Sequence, residues 1–298
     1  MSDTYFIRQA GILISRGKDL NDFLNRMSTN DYRKPVVNEY KKTVLTSDKG
    51  RIIDLVTLIN INDKSLLRTS AFNKEKVITH LEKYIISDDV FFDISDKKYF
   101  ELQIFTENPD RIIKLVSGKN ISGNEVISLN ENDFIFRDDF RKSKAIIICI
   151  EENCGYYEEK LKEIKKLSAE EYESFRIDNG IPDSIDELNE EINPVECGLK
   201  NFISFNKGCY IGQEVIARLD SQGKIPKQMI KIESEVSLNN GDKIFSEEKE
   251  AGFILSAVKD REKFKALGFI RTTELDFGKE YYTMNENIKN KINIFKIN

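Results

Sequence analysis

At roughly 150 residues per domain, a chain of 298 residues and 34.5 kDa is long enough for about two domains. Hydrophobic residues make up 40% and charged residues 33%, enough apolar material for a core, which excludes a disordered or low-complexity chain. The 46 Lys and Arg against 51 Asp and Glu give a net charge of −5 and a pI near 5.4, so direct nucleic-acid binding through the phosphate backbone is not expected.

The longest apolar run, Ala145 to Ile150, is far short of the roughly 20 residues a membrane span requires. Met1-Ser2-Asp3-Thr4 shows no secretory pattern, and the four cysteines (Cys149, Cys154, Cys197, Cys209) form no Cys-x-x-Cys pair. The expected compartment is therefore the reducing cytoplasm. His80 stands alone beside the stripe Val77, Ile78, Leu81, Tyr84, Ile85 and reads as a flanking side chain, so no metal site is expected. No Gly-rich dinucleotide fingerprint or Walker loop is present.

The first helix is expected from Asp19, with Leu20, Phe23, Leu24 and Met27 spaced for one buried face. Strands are expected at Lys42 to Ser47 and Arg51 to Ile61, joined by a tight turn at Asp48-Lys49-Gly50. Asp54 falls inside the second strand and either points to solvent or lines a pocket. A helix over Asn73 to Ile85 follows, then strands at Val90 to Ile94 and Tyr99 to Thr106 and a helix from Pro109 to about Val116. Ala145 to Ile150 reads as a buried strand. Residues 151–193 are acidic and helical, with a capping box at Ser168 and Glu171 and a stop at Asn179-Gly180. After Pro226 come the short runs Met229 to Val236, Asp242 to Phe245, Gly252 to Val258, Lys265 to Ile270, Tyr281 to Met284 and Ile292 to Ile297, which read as a small all-β module. The plan is α+β, with a body over residues 1–225 and a β-rich module over 226–298. No internal repeat is visible.

One segment stands out: Lys207-Gly208-Cys209-Tyr210-Ile211-Gly212-Gln213-Glu214, followed by a helical run to about Gly223. Its glycines permit close backbone approach to a ligand. A thiol two residues from Lys207 and just upstream of a helix would be drawn toward thiolate, whereas Glu214 and packing oppose this, and the residues alone leave both readings open. Between Asn201 and Lys231, Lys207, Arg218, Lys224, Lys227 and Lys231 face only Glu214 and Asp220. Such a basic island in an acidic chain suits a small anionic ligand.

These eight residues, K-G-C-Y-I-G-Q-E, resemble the signature of the YgfZ-type folate-binding proteins, relatives of the glycine-cleavage T-protein (aminomethyltransferase) that act in iron–sulfur cluster assembly or repair. Arg176 to Pro182, Pro194-Val195-Glu196-Cys197-Gly198-Leu199, Gly17-Lys18-Asp19 with Thr29-Asn30-Asp31, and Gly50-Arg51-Ile52-Ile53-Asp54 are similar to further elements of that family in the same order. Ala251 to Ser256 and Ala266 to Arg271 resemble its terminal barrel. The resemblance implies ferredoxin-like α/β halves around a central folate pocket, followed by a small β-barrel. It implies tetrahydrofolate or a one-carbon derivative as ligand, and iron–sulfur client proteins or assembly machinery as partners. Carried over residue by residue, Cys209 is the functional thiol, with Lys207, Tyr210, Gln213 and Glu214 as its motif neighbours. Asp54 matches a pocket carboxylate, and Glu196 matches the glutamate that bonds the pterin edge. Arg218, Lys224 and, less directly, Arg176 are candidates for the folate's glutamate tail. The absence of Trp leaves aromatic contact with a pterin to Phe or Tyr. A tetrahydrofolate-dependent aminomethyltransferase and an RNA-associated factor in tRNA modification are the alternatives.

Overall fold

The computed structural model describes residues 2–61, 64–183, 185–223, 225–285 and 288–297, with Gln222 described by its backbone. The chain divides into two compact units, Met1–Leu167 with Phe202–Gln213, and Ser168–Asn201 with Glu214–Asn298.

In the first unit, β1 (Thr4–Arg16), α1 (Leu20–Met27), β2 (Glu39–Thr46), β3 (Ile52–Ile61), β4 (Lys64–Ser70) and α2 (Lys74–Glu82) form one half. The short β5 (Phe91–Ile94) leads to the second half: β6 (Tyr99–Phe105), α3 (Pro109–Ser117), β7 (Val126–Ser128), β8 (Phe134–Asp138), β9 (Lys144–Ile150) and α4 (Cys154–Lys160). A two-residue β10 (Lys165–Lys166) then pairs in parallel with the start of β1. Both halves run strand, helix, three strands, helix. Their sheets also correspond, because the order β2-β3-β4-β1-β6-β9-β8-β7 places first, fourth, third and second strands outward from a shared β1–β6 seam. The unit is thus an internal duplication that the sequence does not display.

Local chemistry accounts for the ends of these elements. Leu20, Phe23, Leu24 and Met27 are all buried, as the helical spacing of α1 requires. Asp19 precedes the helix but does not cap it; its carboxylate accepts the Asp89 amide at 2.9 Å. In the β2–β3 turn Gly50 takes φ 66°, a conformation that costs a side chain-bearing residue more. The Asn108 side chain caps α3 through the Arg111 amide, and Gly118 ends it with φ 73°.

Strand alternation sorts the apolar residues into three layers. Leu13, Leu45, Val56 and Leu67 pack beneath α1 and α2, while Leu102, Ile104, Ile135 and Ile147 pack beneath α3 and α4. Ile12, Ile59, Leu66, Tyr99, Phe134, Phe136, Ile146 and Ile148 fill the opposite, inner face shared by both halves. The sheet curls so that its two ends approach, with the Tyr40 amide donating to Asn124 O at 2.9 Å and the Val126 amide to Asn38 O at 2.7 Å.

The second unit holds α5 (Ala169–Asp178) and nearly all of α6 (Gln213–Gln222). It ends in a closed barrel of β11 (Lys227–Ser234), β12 (Lys243–Ser246), β13 (Lys249–Asp260), β14 (Lys263–Arg271), β15 (Tyr281–Asn285) and β16 (Ile288–Lys296), ordered β11-β14-β13-β12-β15-β16. Ser168 and Glu171 form the expected capping box. The α+β class with a terminal barrel is therefore what the chain adopts.

Candidate functional site

The Lys207–Gln213 segment belongs to the first unit and is stitched to α1 and the β2–β3 hairpin. Thr29 Oγ1 donates to Phe202 O at 2.7 Å, and the Ser204 amide donates to Thr29 O at 2.9 Å. Further on, the Ile211 amide reaches Arg26 O at 3.1 Å, and Thr46 Oγ1 donates to Ile211 O at 2.6 Å. Gly212 has φ 81°, and a Cβ there would lie 2.5 Å from Ser47 O, so only glycine permits this approach. Gly208 meets no such constraint, since a Cβ added there would have open space around it.

The Lys207 side chain is turned toward backbone carbonyls. Its buried ammonium donates to Asn25 O at 2.5 Å and to Ser28 O and Asn30 O at 2.7 Å each. These carbonyls lie at and just beyond the C-terminal end of α1, where helix geometry leaves acceptors unpaired, so Lys207 acts as a cap. Burial pushes its pKa down to about 8. The ammonium also sits 5.2 Å from the centroid of the buried Tyr210 ring, whose hydroxyl burial pushes up to about 12. Within this fastened segment Cys209 is exposed and Gln213 is half-buried.

The other cysteines lie in different surroundings. Cys149 and Cys197 are buried, and Cys149 Sγ lies 3.5 Å from Cys154 Sγ, a proximity the sequence spacing did not suggest. Burial raises both thiols of that pair.

Asp54 is buried, with 1% exposure. Its carboxylate accepts the Leu55 amide at 3.0 Å and the Ser70 amide at 3.2 Å. Burial dominates and raises its pKa to about 6, against the Ser70 amide and the Arg68 charge.

The remaining candidates belong to the second unit or lie outside the described residues. Glu196 is buried and its Oε2 accepts the Asn193 amide at 2.9 Å. Arg176 is 1% exposed, with Nε on Glu173 Oε2 at 2.6 Å and Nη1 on Glu187 Oε2 at 3.0 Å and Ile181 O at 3.3 Å. Its guanidinium thus bonds carboxylates and a carbonyl of its own unit. Glu214 and Arg218 are exposed on α6. Lys224 lies outside the described residues.

Sequence reasoning missed a group of charges on the inner face of the first unit's sheet. Lys42 Nζ donates to Asp138 Oδ2 at 2.5 Å, and Lys144 Nζ donates to the same oxygen at 2.9 Å. The Lys42 ammonium lies 5.7 Å from the Phe140 ring and 5.8 Å from the Phe202 ring. Nearby, Glu101 is fully buried, pairs with Arg68, and receives Arg8 Nη2 at 3.3 Å. Burial alone would raise Glu101, but Arg68 and Arg8 overcome it and hold the carboxyl near 2. Lys42 is pushed down to about 8, chiefly by burial and also by Lys144 and Arg68, against the pull of Asp138. In the sequence these residues look like the solvent face of alternating strands. The clue was that Glu101 and Gln103 alternate with Phe100, Leu102 and Ile104 in an otherwise apolar strand.

Residues 8–128 match the family model of the GCVT N-terminal domain. The crystal structure of the glycine cleavage system aminomethyltransferase T from Bartonella henselae superposes with a TM-score of 0.83, covering 99% of this chain and 86% of that one at 14% identity. The chain has the fold of a glycine-cleavage T-protein. The aminomethyltransferase of Aquifex aeolicus is 25% identical over 256 residues, 78% of this chain and 65% of its own length. That of Halalkalibacterium halodurans is 24% identical over 276 residues, 85% of this chain and 73% of its own length. A putative chloroplastic transferase of Arabidopsis thaliana is 35% identical over 109 residues, 36% of this chain and 25% of that protein. The chain thus spans about two thirds of the length of the Aquifex protein.

Proposed function

We propose that this chain is a folate-binding protein of the T-protein type that supports iron–sulfur proteins, with Cys209 as its functional thiol. The similarity of residues 8–128 to the GCVT N-terminal domain supports the folate part of this reading. A reduced folate carries its one-carbon unit on amine nitrogens, and a buried carboxylate suits such a ligand. Asp54, with a pKa near 6, can hold or release a proton close to neutrality and orient an amine donor. Exposure leaves Cys209 open to a client protein, and Lys207, Gly212 and Thr46 hold the thiol's backbone in place.

The names of the relatives favour a second reading, in which the chain is itself an aminomethyltransferase and Asp54 acts on the folate amine during turnover.

Calorimetry with 5-formyltetrahydrofolate should show saturable binding that Asp54→Ala weakens, and Cys209→Ser should lower iron–sulfur enzyme activities in cells while leaving that binding intact. No binding at millimolar ligand would remove the folate reading. Formation of methylenetetrahydrofolate from an aminomethyl-lipoyl carrier protein, abolished by Asp54→Asn, would put the second reading first.

A further inference from the structure

We propose that the inner face of the first unit's sheet holds a small-molecule site, distinct from Asp54, that takes an uncharged bicyclic aromatic ligand with an N–H donor. The site is a cavity of about 240 Å³ with Ile12, Ile61, Leu66, Tyr99 and Phe134 in its walls. All five are buried and belong to the apolar layer of that face. Ile14 lines the cavity as well and is 38% exposed, so the apolar wall reaches solvent. Ile61 ends β3 whereas Asp54 lies near its start, about 23 Å away along an extended strand.

Size sets the first limit on the ligand. A dry apolar cavity of about 150 Å³ accepts benzene, so this larger one admits two fused rings. Polarity sets the second. Tyr99 is 7% exposed, and its hydroxyl has no hydrogen-bond partner among the described residues. Burial raises that hydroxyl to about 12, and Asp133, Asp96 and Glu131 add to the rise. These three carboxylates all line the cavity, so the hydroxyl faces that space in a negative field, which favours an N–H donor as its partner. The lip around it is already fastened. Asn130 Oδ1 accepts the Asn132 and Asp133 amides at 2.8 and 2.9 Å, Lys64 Nζ donates to Glu131 O at 3.3 Å, and Lys97 Nζ donates to Asn132 Oδ1 at 3.0 Å. Asp133 is spent on the Ile150 amide and the Tyr157 hydroxyl at 3.0 Å each. That leaves Lys64 and Lys97 beside the exposed Asp96 and Glu131, a balanced lip that asks no charge of its ligand. A preformed apolar slot with one convergent polar group is the usual form of a small-molecule site.

The chain contains no Trp, so the fluorescence of added indole reports binding without interference from the protein. Titration of the full chain should show saturable indole binding. Benzofuran, equal in shape but lacking the N–H, should displace indole about three- to tenfold less well than indole's own affinity predicts, the worth of one hydrogen bond. Tyr99→Phe keeps the ring, removes the hydroxyl and should weaken indole by a similar factor. Leu66→Phe fills the cavity and should weaken indole tenfold or more; if that variant unfolds, Tyr99→Phe and benzofuran carry the test. 5-formyltetrahydrofolate should not displace indole, and a failure of folate to bind at all would leave these results standing. No saturable binding at millimolar indole overturns the proposal. So does indole binding that Tyr99→Phe or a folded Leu66→Phe leaves unchanged, or benzofuran that competes as well as indole. Displacement of indole by 5-formyltetrahydrofolate overturns it too, because indole would then occupy the folate's own site.

Discussion

The Lys42 ammonium and the Asp138 carboxylate, 2.5 Å apart, tie β2 of one half of the first unit to β8 of the other. Neither residue lies near the other in sequence, and neither strand is hydrogen-bonded to the other in the ladder. The pair therefore fastens the curl of the sheet from within, with Lys144 on the same carboxylate oxygen.

Asp138→Asn should be strongly destabilising, because two buried ammonium groups lose their shared counter-charge. A cost of about 3–5 kcal/mol is expected, as for other buried pairs broken from one side. Urea denaturation at pH 7 measures it. Burial opposes the Asp138 charge, but Lys144 and Lys42 hold its carboxyl well below the ordinary range. The stability it contributes is thus present above the unfolded value near 3.8 and is lost as pH falls through the lower folded value. A variant as stable as wild type at pH 7 would mean that the pair does not hold the two halves together.

Much of the fold was legible where period and punctuation agreed. The α1 stripe, Gly50 in the hairpin, the Ser168–Glu171 capping box and the terminal strand runs all follow from local chemistry. The central strand β1 did not announce itself. Leu13 packs under the helices while Ile12 lies on the inner face, so apolar residues fall on both sides and no period-2 signal survives. The duplication was hidden for a related reason, because the two halves share topology and not side chains. At the candidate site the motif drew attention to Lys207–Glu214, but the partners of Lys207 are carbonyls more than 170 residues away in sequence. The Lys42–Asp138 and Arg68–Glu101 contacts are likewise products of register and curl, which a strand-by-strand reading cannot supply.

Asp54 should make stability fall with pH through a known window. Burial raises its carboxyl from an ordinary 3.8 to about 6, so the folded chain keeps a proton that the unfolded chain has released. That contribution is fully present below the unfolded value and is lost as pH rises through the folded one. Asp54→Asn cannot titrate, so the stability difference between wild type and variant isolates the effect. Between pH 4 and pH 7.5 it should move toward the variant by on the order of 2 kcal/mol, from the pKa displacement and 1.36 kcal/mol per unit. A difference that stays constant across that range would place the Asp54 titration elsewhere.

Lys207 and Cys209 separate a structural role from an electrostatic one. If the lysine serves as a cap for α1, Lys207→Met should cost about 2–3 kcal/mol, because it leaves two buried carbonyls and a half-buried one, each within 2.7 Å of the ammonium, without their donor. Its charge is spent on those carbonyls and faces the Tyr210 ring, so the alkylation rate of folded Cys209 at pH 7 should change less than twofold in the variant. In wild type the exposed Cys209 should react with iodoacetamide well before Cys149 and Cys197, which need local opening to reach solvent. Mass spectrometry of timed quenches reads all three rates in one sample, and urea denaturation supplies the stability. A Lys207→Met variant of unchanged stability whose Cys209 reacts tenfold more slowly would reverse the assignment and make the lysine an activator of the thiol.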